Sequence, residues 1–474
     1  MRTAVETNNA YQKIVNSLKR QKKGATVADV CAATALPLST VRELLPKAAD
    51  EYSGHLRVTQ SGEILYYFPR GFTSRYSGFG AFLKKTADKT AAVVKTALIF
   101  LFKVWIVVML IGYFVLFMAL ALASVFISVS AKSSGNRGRR GGFNTFGLLW
   151  RIWFYSELTR PNYRYGHVTQ NKEPRRPIHK AVFSFVFGED DPNKNWQEQK
   201  DRAIIAYIQA NRGVVSLVEY MAFTGENSAE AEESILTFCS KFGGSPEVTE
   251  EGTIVYRFDE LLLRADSENL SELVPPIRRL KTFSANTKTM NGWFIVINAV
   301  NLIFGSYFLN QSFSSDQVSQ LYAYTYNFIS NVTENPHNFI AMVLGLIPLL
   351  FSLFFWLIPT ARYFFELKEN DEIKLQNFKR FGFNKIWSSP EKILTDSFRR
   401  PSAECSPRDF AAAQDRVIKD IGAISNPEVE LTENGKTVYT FSELEREKRA
   451  LEKYRANLDT SALQLGKTVF DSGE

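Results

Sequence analysis

Cysteine and histidine are scarce in this sequence, and their spacing excludes more than their number. Cys31, Cys239 and Cys405 are spread over 474 residues, too far apart for a local C-x-x-C site or a disulfide framework. The four histidines, His55, His167, His179 and His337, are equally dispersed. Zinc, iron–sulfur and haem chemistry are disfavoured, and no cofactor or metal ligand is expected. Catalytic motifs are missing too. No Gly-rich loop ends in Lys-Ser/Thr, no H-E-x-x-H or G-x-S-x-G occurs, and no histidine lies beside a serine or cysteine. The chain reads as non-enzymatic. Charge of one sign is in short supply: 57 Lys and Arg face 49 Asp and Glu, a formal net charge of +8, too mild to imply a nucleic-acid partner. The first twenty residues carry no apolar core, so no cleaved signal peptide is expected.

Long apolar runs are present. Val104–Ala131 has no charged residue over 28 positions. A helix of that length is about 42 Å long, beyond the roughly 30 Å of a bilayer's hydrocarbon. Its flanks are both basic, with Lys84, Lys85, Lys89 and Lys95 before and Lys132, Arg137, Arg139 and Arg140 after. One long tilted span would export a basic flank. Charge bias therefore favours a hairpin, Val93–Ile111 then Phe114–Ala131, turning near Gly112 and Tyr113. A second run, Gly292–Leu309, carries Asn298 and Asn301 on one helix face, where they bond across a helix interface or line a polar path. A third, Asn338–Ala361, holds Pro348 and Pro359. Between them Asn310–His337 lacks Lys and Arg entirely, while Arg278, Arg279, Lys281 and Lys288 precede the second run and Arg362, Lys368 and Lys374 follow the third. The positive-inside rule places 310–337 outside and the flanks on the cytoplasmic or equivalent side.

Three soluble segments end in nearly the same phrase: SGEILYYF (Ser61–Phe68), EGTIVYRF (Glu251–Phe258) and NGKTVYTF (Asn434–Phe441). In each, Gly sits in a turn and a Tyr and a Phe two apart share a strand face. Short strands precede them at His55–Thr59, Pro246–Thr249 and Pro427–Leu431, giving three β-hairpins. Helices come before each hairpin: Asn8–Leu18, Val27–Thr34 capped by Thr26, and a third capped by Ser39 or Thr40 with Val41, Leu44, Leu45 and Ala48 inward; then Arg202–Gln209, Leu217–Thr224 and Ser228–Phe242; then Ser406–Ile421. Three helices plus a hairpin is the winged-helix arrangement.

Charge tests the nucleic-acid reading of such modules. Residues 1–70 carry ten basic and six acidic groups, net +4; residues 198–261 carry five and twelve, net −7; residues 402–447 carry five and ten, net −5. Glu230, Glu232 and Glu233 would meet a phosphate backbone with the wrong sign. Only the first module, with Arg42, Lys47 and Arg57, keeps that reading open. Glu230 and Glu233, adjacent on one helix face, are candidates for a protein interaction, as are Arg42 and Lys47.

The intervening segments are less specific. Residues 131–142 form a basic linker whose Lys132, Arg137, Arg139 and Arg140 would gain about 1 kcal/mol each near an anionic leaflet. Residues 143–158 suit either the membrane interface, with Trp150, Trp153 and Tyr155 at headgroup depth, or soluble packing. Phe183, Phe185, Val186 and Phe187 suggest a buried strand or a tight docking segment ending at Gly188, and Asp191 with Pro192 the start of the next helix.

The phrases FSFVFGEDDPN (Phe183–Asn193), NRGVVS (Asn211–Ser216) and PEVTEEGTIVYRF (Pro246–Phe258), with YYFPRGF (Tyr66–Phe72), resemble an uncharacterised membrane-protein family of cyanobacteria, other bacteria and plant plastids. Some plant members are labelled "iron-sulphur cluster biosynthesis family protein". Asp190 stands where that family has a second Gly. The resemblance implies shared membrane architecture and transfers no catalytic residue; the three cysteines form no recognisable cluster site.

The expected fold is an α+β membrane protein, with α-helical transmembrane segments and three winged-helix-like modules. Modules fall at 1–70, 181–270 and 371–450; membrane segments at 93–131, 292–309 and 338–361; a basic and interfacial stretch at 132–180; an extracytoplasmic loop at 310–337; a tail at 451–474. The expected role is a membrane-anchored interaction or scaffold protein, in a bacterial inner membrane or a plastid membrane, with a protein partner or a second copy. A small transport or membrane-homeostasis component and a membrane-tethered DNA-binding regulator are the alternatives.

Overall fold

The structure, a computed structural model, describes residues 4–21, 24–69, 71–72, 79–132, 176–265, 276–314, 318–398, 402–433, 435–459 and 461–473. Along the chain run α1 (Ala4–Leu18), α2 (Val27–Thr34), α3 (Leu38–Glu51), β1 (His55–Thr59), β2 (Ile64–Tyr67), α4 (Phe79–Val107), α5 (Tyr113–Lys132), α6 (Ile178–Phe187), α7 (Trp196–Ala210), β3 (Val214–Ser216), α8 (Leu217–Thr224), α9 (Ser228–Phe242), β4 (Ser245–Val248) and β5 (Ile254–Arg257). There follow α10 (Lys288–Phe313), α11 (Gln320–Ile329), α12 (Pro336–Phe339), α13 (Ile347–Ser388), β6 (Ile393–Leu394), α14 (Phe410–Gly422), β7 (Glu428–Leu431), β8 (Thr437–Thr440), α15 (Ser442–Asn457) and β9 (Thr468–Asp471). They form two compact units, one of Met1–Thr90, Asp190–Lys281 and Phe365–Glu474, the other of Ala91–Glu189 and Thr282–Phe364.

Three segments of the first unit run in similar element order: helix, short strand, helix or 3-10 turn, helix, hairpin. In the first instance these are α1, the isolated bridge at Ala25, α2, α3 and β1–β2. In the second they are α7, β3, α8, α9 and β4–β5; in the third the end of α13, β6, a 3-10 turn at Thr395–Phe398, α14 and β7–β8. The short strand always pairs with the hairpin tyrosine: Ala25 with Tyr66, Val215 with Tyr256, Ile393 with Tyr439. The turns share one hydrogen-bond pattern. Thr59 N donates to Glu63 O, Thr249 N to Thr253 O and Thr432 N to Lys436 O, at 3.0, 2.9 and 2.9 Å. Gly62, Gly252 and Gly435 close these turns by donating back to the threonine carbonyl, with φ of +83°, +85° and +69°. That left-handed geometry is what glycine supplies without steric penalty.

Local signals set the helix starts. Thr26 with Asp29, Ser216 with Glu219 and Asn227 with Glu230 form capping boxes, each side chain satisfying the other residue's backbone N–H. The third helix of the first segment starts at Leu38 after Pro37, so neither Ser39 nor Thr40 caps it. The next segment's first helix starts at Trp196, not at Pro192. Asp191 instead accepts from Asn193 N at 2.9 Å, closing a turn before the helix. A continuous apolar core runs through all three segments. Phe258 and Phe441 are fully buried in it, Tyr66 and Tyr256 nearly so, and Phe68 and Tyr439 pack against it half-buried.

The second unit contains the apolar helices. Three helical stretches among the described residues are long and apolar enough to cross a membrane: Val93–Phe126, Lys288–Phe313 and Pro336–Ser388, the last running on past the unit's end. The expected hairpin at Gly112–Tyr113 is not formed. α4 and α5 join through a π-helical turn, Val108–Gly112, so Val93–Phe126 is one helix. A reverse turn there would leave backbone groups unpaired inside an apolar layer, whereas a π-turn keeps them bonded and absorbs the glycine. A second π-helical stretch, Ile340–Leu346, opens the helix that continues as α13. Close approach is permitted by glycine: a Cβ on Gly345 would lie 3.0 Å from Leu309 Cα, and one on Gly305 would lie 3.0 Å from Leu349 N.

The strand expected from Phe183, Phe185 and Phe187 is the helix α6. Phe183 and Phe187, four apart, pack ring to ring at 4.9 Å, while Phe185 contacts Phe283, Phe294 and Phe355. Alternation over five residues mimicked a strand; Pro177 before the run and Gly188 after it bound a helix. Arg137, Arg139, Arg140 and the segment expected to be interfacial at 143–158 lie outside the described residues, as does the side chain of Lys132.

Replacing Phe258 by Ala is expected to lower the unfolding free energy of the first unit by about 3–5 kcal/mol. Denaturant titration of the detergent-solubilised chain reads this; a loss below 1 kcal/mol would contradict the buried position.

Candidate interaction surfaces

The acidic helix face picked out by Glu230 and Glu233 borders a cleft of about 360 Å³ lined from α7, α8 and α9. Its acids are Asp201, Glu226, Glu230 and Glu233, and its cations are Lys200 and Lys241. Lys200 Nζ lies 3.5 Å from Glu226, whose carboxylate also accepts from the Ser234 hydroxyl. Asp201 is buried and accepts from Gln197 at 2.9 Å; burial raises its pKa above the usual carboxylate range, against the pull of Lys200. Glu230 is committed to its cap, donating to Asn227 Oδ1 through its N–H at 2.9 Å. Glu233 is exposed on the cleft wall. Such a rim suits a cationic side chain.

Arg42, Lys47 and Arg57 of the first segment are each paired within the chain. Arg42 lies 3.0 Å from Glu260, and Lys47 lies 2.8 Å from Glu43 one helical turn away. Arg57 bonds Asp471 at 2.6 Å and stacks over Tyr67. A phosphate backbone would have to compete with these carboxylates.

Asn298 and Asn301 are fully buried within the second unit. Asn298 Nδ2 donates to Ser352 O at 3.0 Å and Asn301 Nδ2 to Leu110 O at 2.7 Å. Leu110 belongs to the π-helical turn, and the second π-helical stretch is met in the same way, Val343 O accepting from Tyr113 Oη at 2.9 Å. A polar side chain thus bonds a carbonyl of each irregular stretch.

Three long-range arginine contacts escaped the sequence reading. Arg455 donates to both Glu219 oxygens, at 3.0 and 2.7 Å, and to Val214 O at 2.7 Å. Tyr207 bonds the same carboxylate. Asp29 likewise receives Ala265 N at 2.9 Å and lies 3.5 Å from Arg264. Arg380, buried over the Trp196 ring, donates to Phe223 O and Thr224 O where α8 ends. The Thr26 cap was legible; the roles of Asp29 and Glu219 and their arginine partners, 236 residues away for Glu219, were not. Burial raises the thiol pKa of Cys31 to about 12 and of Cys239 to about 11, which disfavours thiolate.

This chain is similar to an uncharacterised chloroplastic protein of Arabidopsis thaliana, 27% identical over 398 residues that cover 78% of this chain and 71% of the relative. The likeness supports an uncharacterised, plastid-associated family, and is compatible with the three apolar helices; it assigns no activity. No family model matches the chain. No solved structure matches it.

Glu447, half-buried in α15 near Glu219, has its pKa raised to about 7, mainly by burial and then by the Glu219 charge. Its folded pKa exceeds the unfolded value of 4.5, so its contribution is intact below that value and is lost as pH rises through about 7. Glu447→Gln is expected to raise stability by about 2 kcal/mol at pH 8 and to leave it unchanged at pH 4. Equal effects at both pH values, in denaturant titrations, would contradict the assignment.

Proposed function

We propose that this protein is a membrane-anchored, non-enzymatic interaction or scaffold protein whose three soluble segments are winged-helix modules in a protein-binding role. The observation that carries the reading is the threefold element order with one turn pattern, Thr59/Gly62, Thr249/Gly252 and Thr432/Gly435, on a shared core. Net charges of −7 and −5 on the second and third modules, and internal pairing of Arg42, Lys47 and Arg57, favour a protein surface over nucleic acid. The partner surface meeting the cleft of the second module is basic or mixed. The likeness to a chloroplastic protein favours a plastid membrane or a related bacterial membrane.

The modules lie on the side of the basic flanks, and 310–337 lies on the other. The three native cysteines are buried, which favours thiol labelling as a probe. Cysteine at Ser319 should react with an impermeant reagent in intact cells, and cysteine at Thr237 only after permeabilisation. The reverse pattern would overturn the sidedness.

A second reading, a small transport or membrane-homeostasis component, is favoured by one observation: Asn298 Oδ1, Asn301 Oδ1 and Ser352 Oγ are buried without a hydrogen-bond partner.

Glu233→Lys is expected to reduce partner recovery from native membranes at least tenfold while leaving the thermal transition unchanged. Reversal at Glu230 is a poorer probe because it also breaks the cap of α9. Unchanged recovery, or salt-dependent binding of the full chain to duplex DNA at submicromolar concentration, would overturn the reading.

A further inference from the structure

The three hairpins differ in what becomes of their outer edge. In the first, the sheet order is β2-β1-β9, so the chain's last strand is added along β1. The contact is made by Leu56, three residues before the turn threonine: its N–H donates to Ser472 Oγ at 2.8 Å and its carbonyl accepts from Ser472 N at 2.9 Å. Gln60 N donates to Lys467 O at 2.9 Å further along the same edge.

The equivalent residue in the second hairpin, three before Thr249, is Pro246. Proline has no N–H to offer an incoming strand, a common device for blunting an edge. That edge is also closed by a helix: Tyr454 of α15 bonds Glu247, and Lys453 bonds Glu251 at 2.6 Å.

The equivalent residue in the third hairpin, three before Thr432, is Val429. Thr432 N faces β8 through its bond to Lys436 O, so antiparallel alternation turns Glu428 and Glu430 toward β8 for backbone bonding, and Val429 and Leu431 outward. The order β6-β8-β7 leaves β7 at the margin, and among the described residues no strand pairs with its outer side. Val429 and Leu431 are 58% and 77% exposed. One edge is filled, one is blocked, and one is open.

Charge on the filled edge indicates what the open one would accept. Arg57 of β1 stands opposite Asp471 of β9 at 2.6 Å. The residue equivalent to Arg57, two before the turn threonine, is Glu430 in the third hairpin. Opposite charges directly across strands stabilise pairing and like charges oppose it. We infer that the outer edge of β7 is a docking edge for an extended basic segment of a partner protein, which adds as a strand with Lys or Arg opposite Glu430 and apolar side chains beside Val429 and Leu431. A second copy's β9 is disfavoured there, since Asp471 would meet Glu430.

This inference rests on the equivalence of the three modules, and the test separates the two. The probes are fluorescent peptides copying residues 464–473, one with the native sequence and one with Asp471→Lys, titrated against the full chain in detergent by anisotropy. The lysine peptide should bind at least tenfold tighter. Leu431→Pro, which removes an outward N–H and leaves the bonds to β8 in place, should abolish its binding. Glu430→Lys, which alters no backbone group, should reverse the preference between peptides. Equal binding of both peptides, preference for the native one, or binding insensitive to Leu431→Pro would overturn the docking edge. Residue-resolved hydrogen exchange of the free chain tests the equivalence itself. Fast exchange at Val429 and Leu431 with protection at Glu430 upholds the register, so that a failed titration then removes the docking edge alone. Protection at Val429 and Leu431 removes both.

Discussion

A carboxylate that starts a helix and is then buried must find a cation, and that constraint organises the first unit. Glu219 caps the start of α8, receives the Tyr207 hydroxyl and is met by both terminal nitrogens of Arg455. Burying two charges together is not strongly stabilising, but separating them leaves one uncompensated at about 3–5 kcal/mol. The contact therefore acts as a register device: α15, from the far end of the chain, has one position in which Arg455 reaches Glu219. Asp29 plays the same part in the first module, with the arginine supplied by the segment after the second hairpin. The helix-start acids of the first two segments are thus answered from beyond the hairpin of the segment that follows each. The third segment carries Ser397, four residues after the strand residue paired with its hairpin tyrosine, where the other two carry Asp29 and Glu219.

This arrangement explains a division in what sequence reasoning recovered. Helices α2, α8 and α9 were legible to the residue, α2 from its Thr26 cap and α9 from its apolar stripe; the full capping boxes at their starts were seen only in the fold. The hairpins were legible from Gly62, Gly252 and Gly435 and the Tyr-x-Phe alternation. α6 was misread because three phenylalanines at alternate positions satisfy a strand pattern, while the contact that matters is between Phe183 and Phe187 one helical turn apart. Of the candidate surface, Glu230 and Glu233 were visible as charges. That Glu230 is occupied by its cap, and that Arg42 is occupied by Glu260, required the fold. β9 left no trace, because an edge strand of four residues acquires its meaning only from the strand it joins.

The apolar unit follows the same economy of polar groups by other means. Its helices carry two π-helical stretches, and each has a carbonyl bonded by a side chain from a neighbouring helix, Asn301 to Leu110 and Tyr113 to Val343. Glycines at 305 and 345 bring the α10 backbone and the second stretch close enough for side-chain contacts to be short. The hairpin favoured by flanking charge was displaced here by a stronger local rule, that backbone polar groups in an apolar layer remain bonded within their own helix.

The claim on which the rest depends is that Glu219 and Arg455 lock α15 against the second module. A double-mutant cycle measures it directly: Glu219→Gln, Arg455→Met and both together in the full chain, with stability read by denaturant titration in detergent. The account predicts that either single change is strongly destabilising and that the double variant loses much less than their sum, a coupling of about 2 kcal/mol or more. Additive losses, with no coupling beyond error, would show that the two residues do not act as a pair and would contradict the interlocked arrangement.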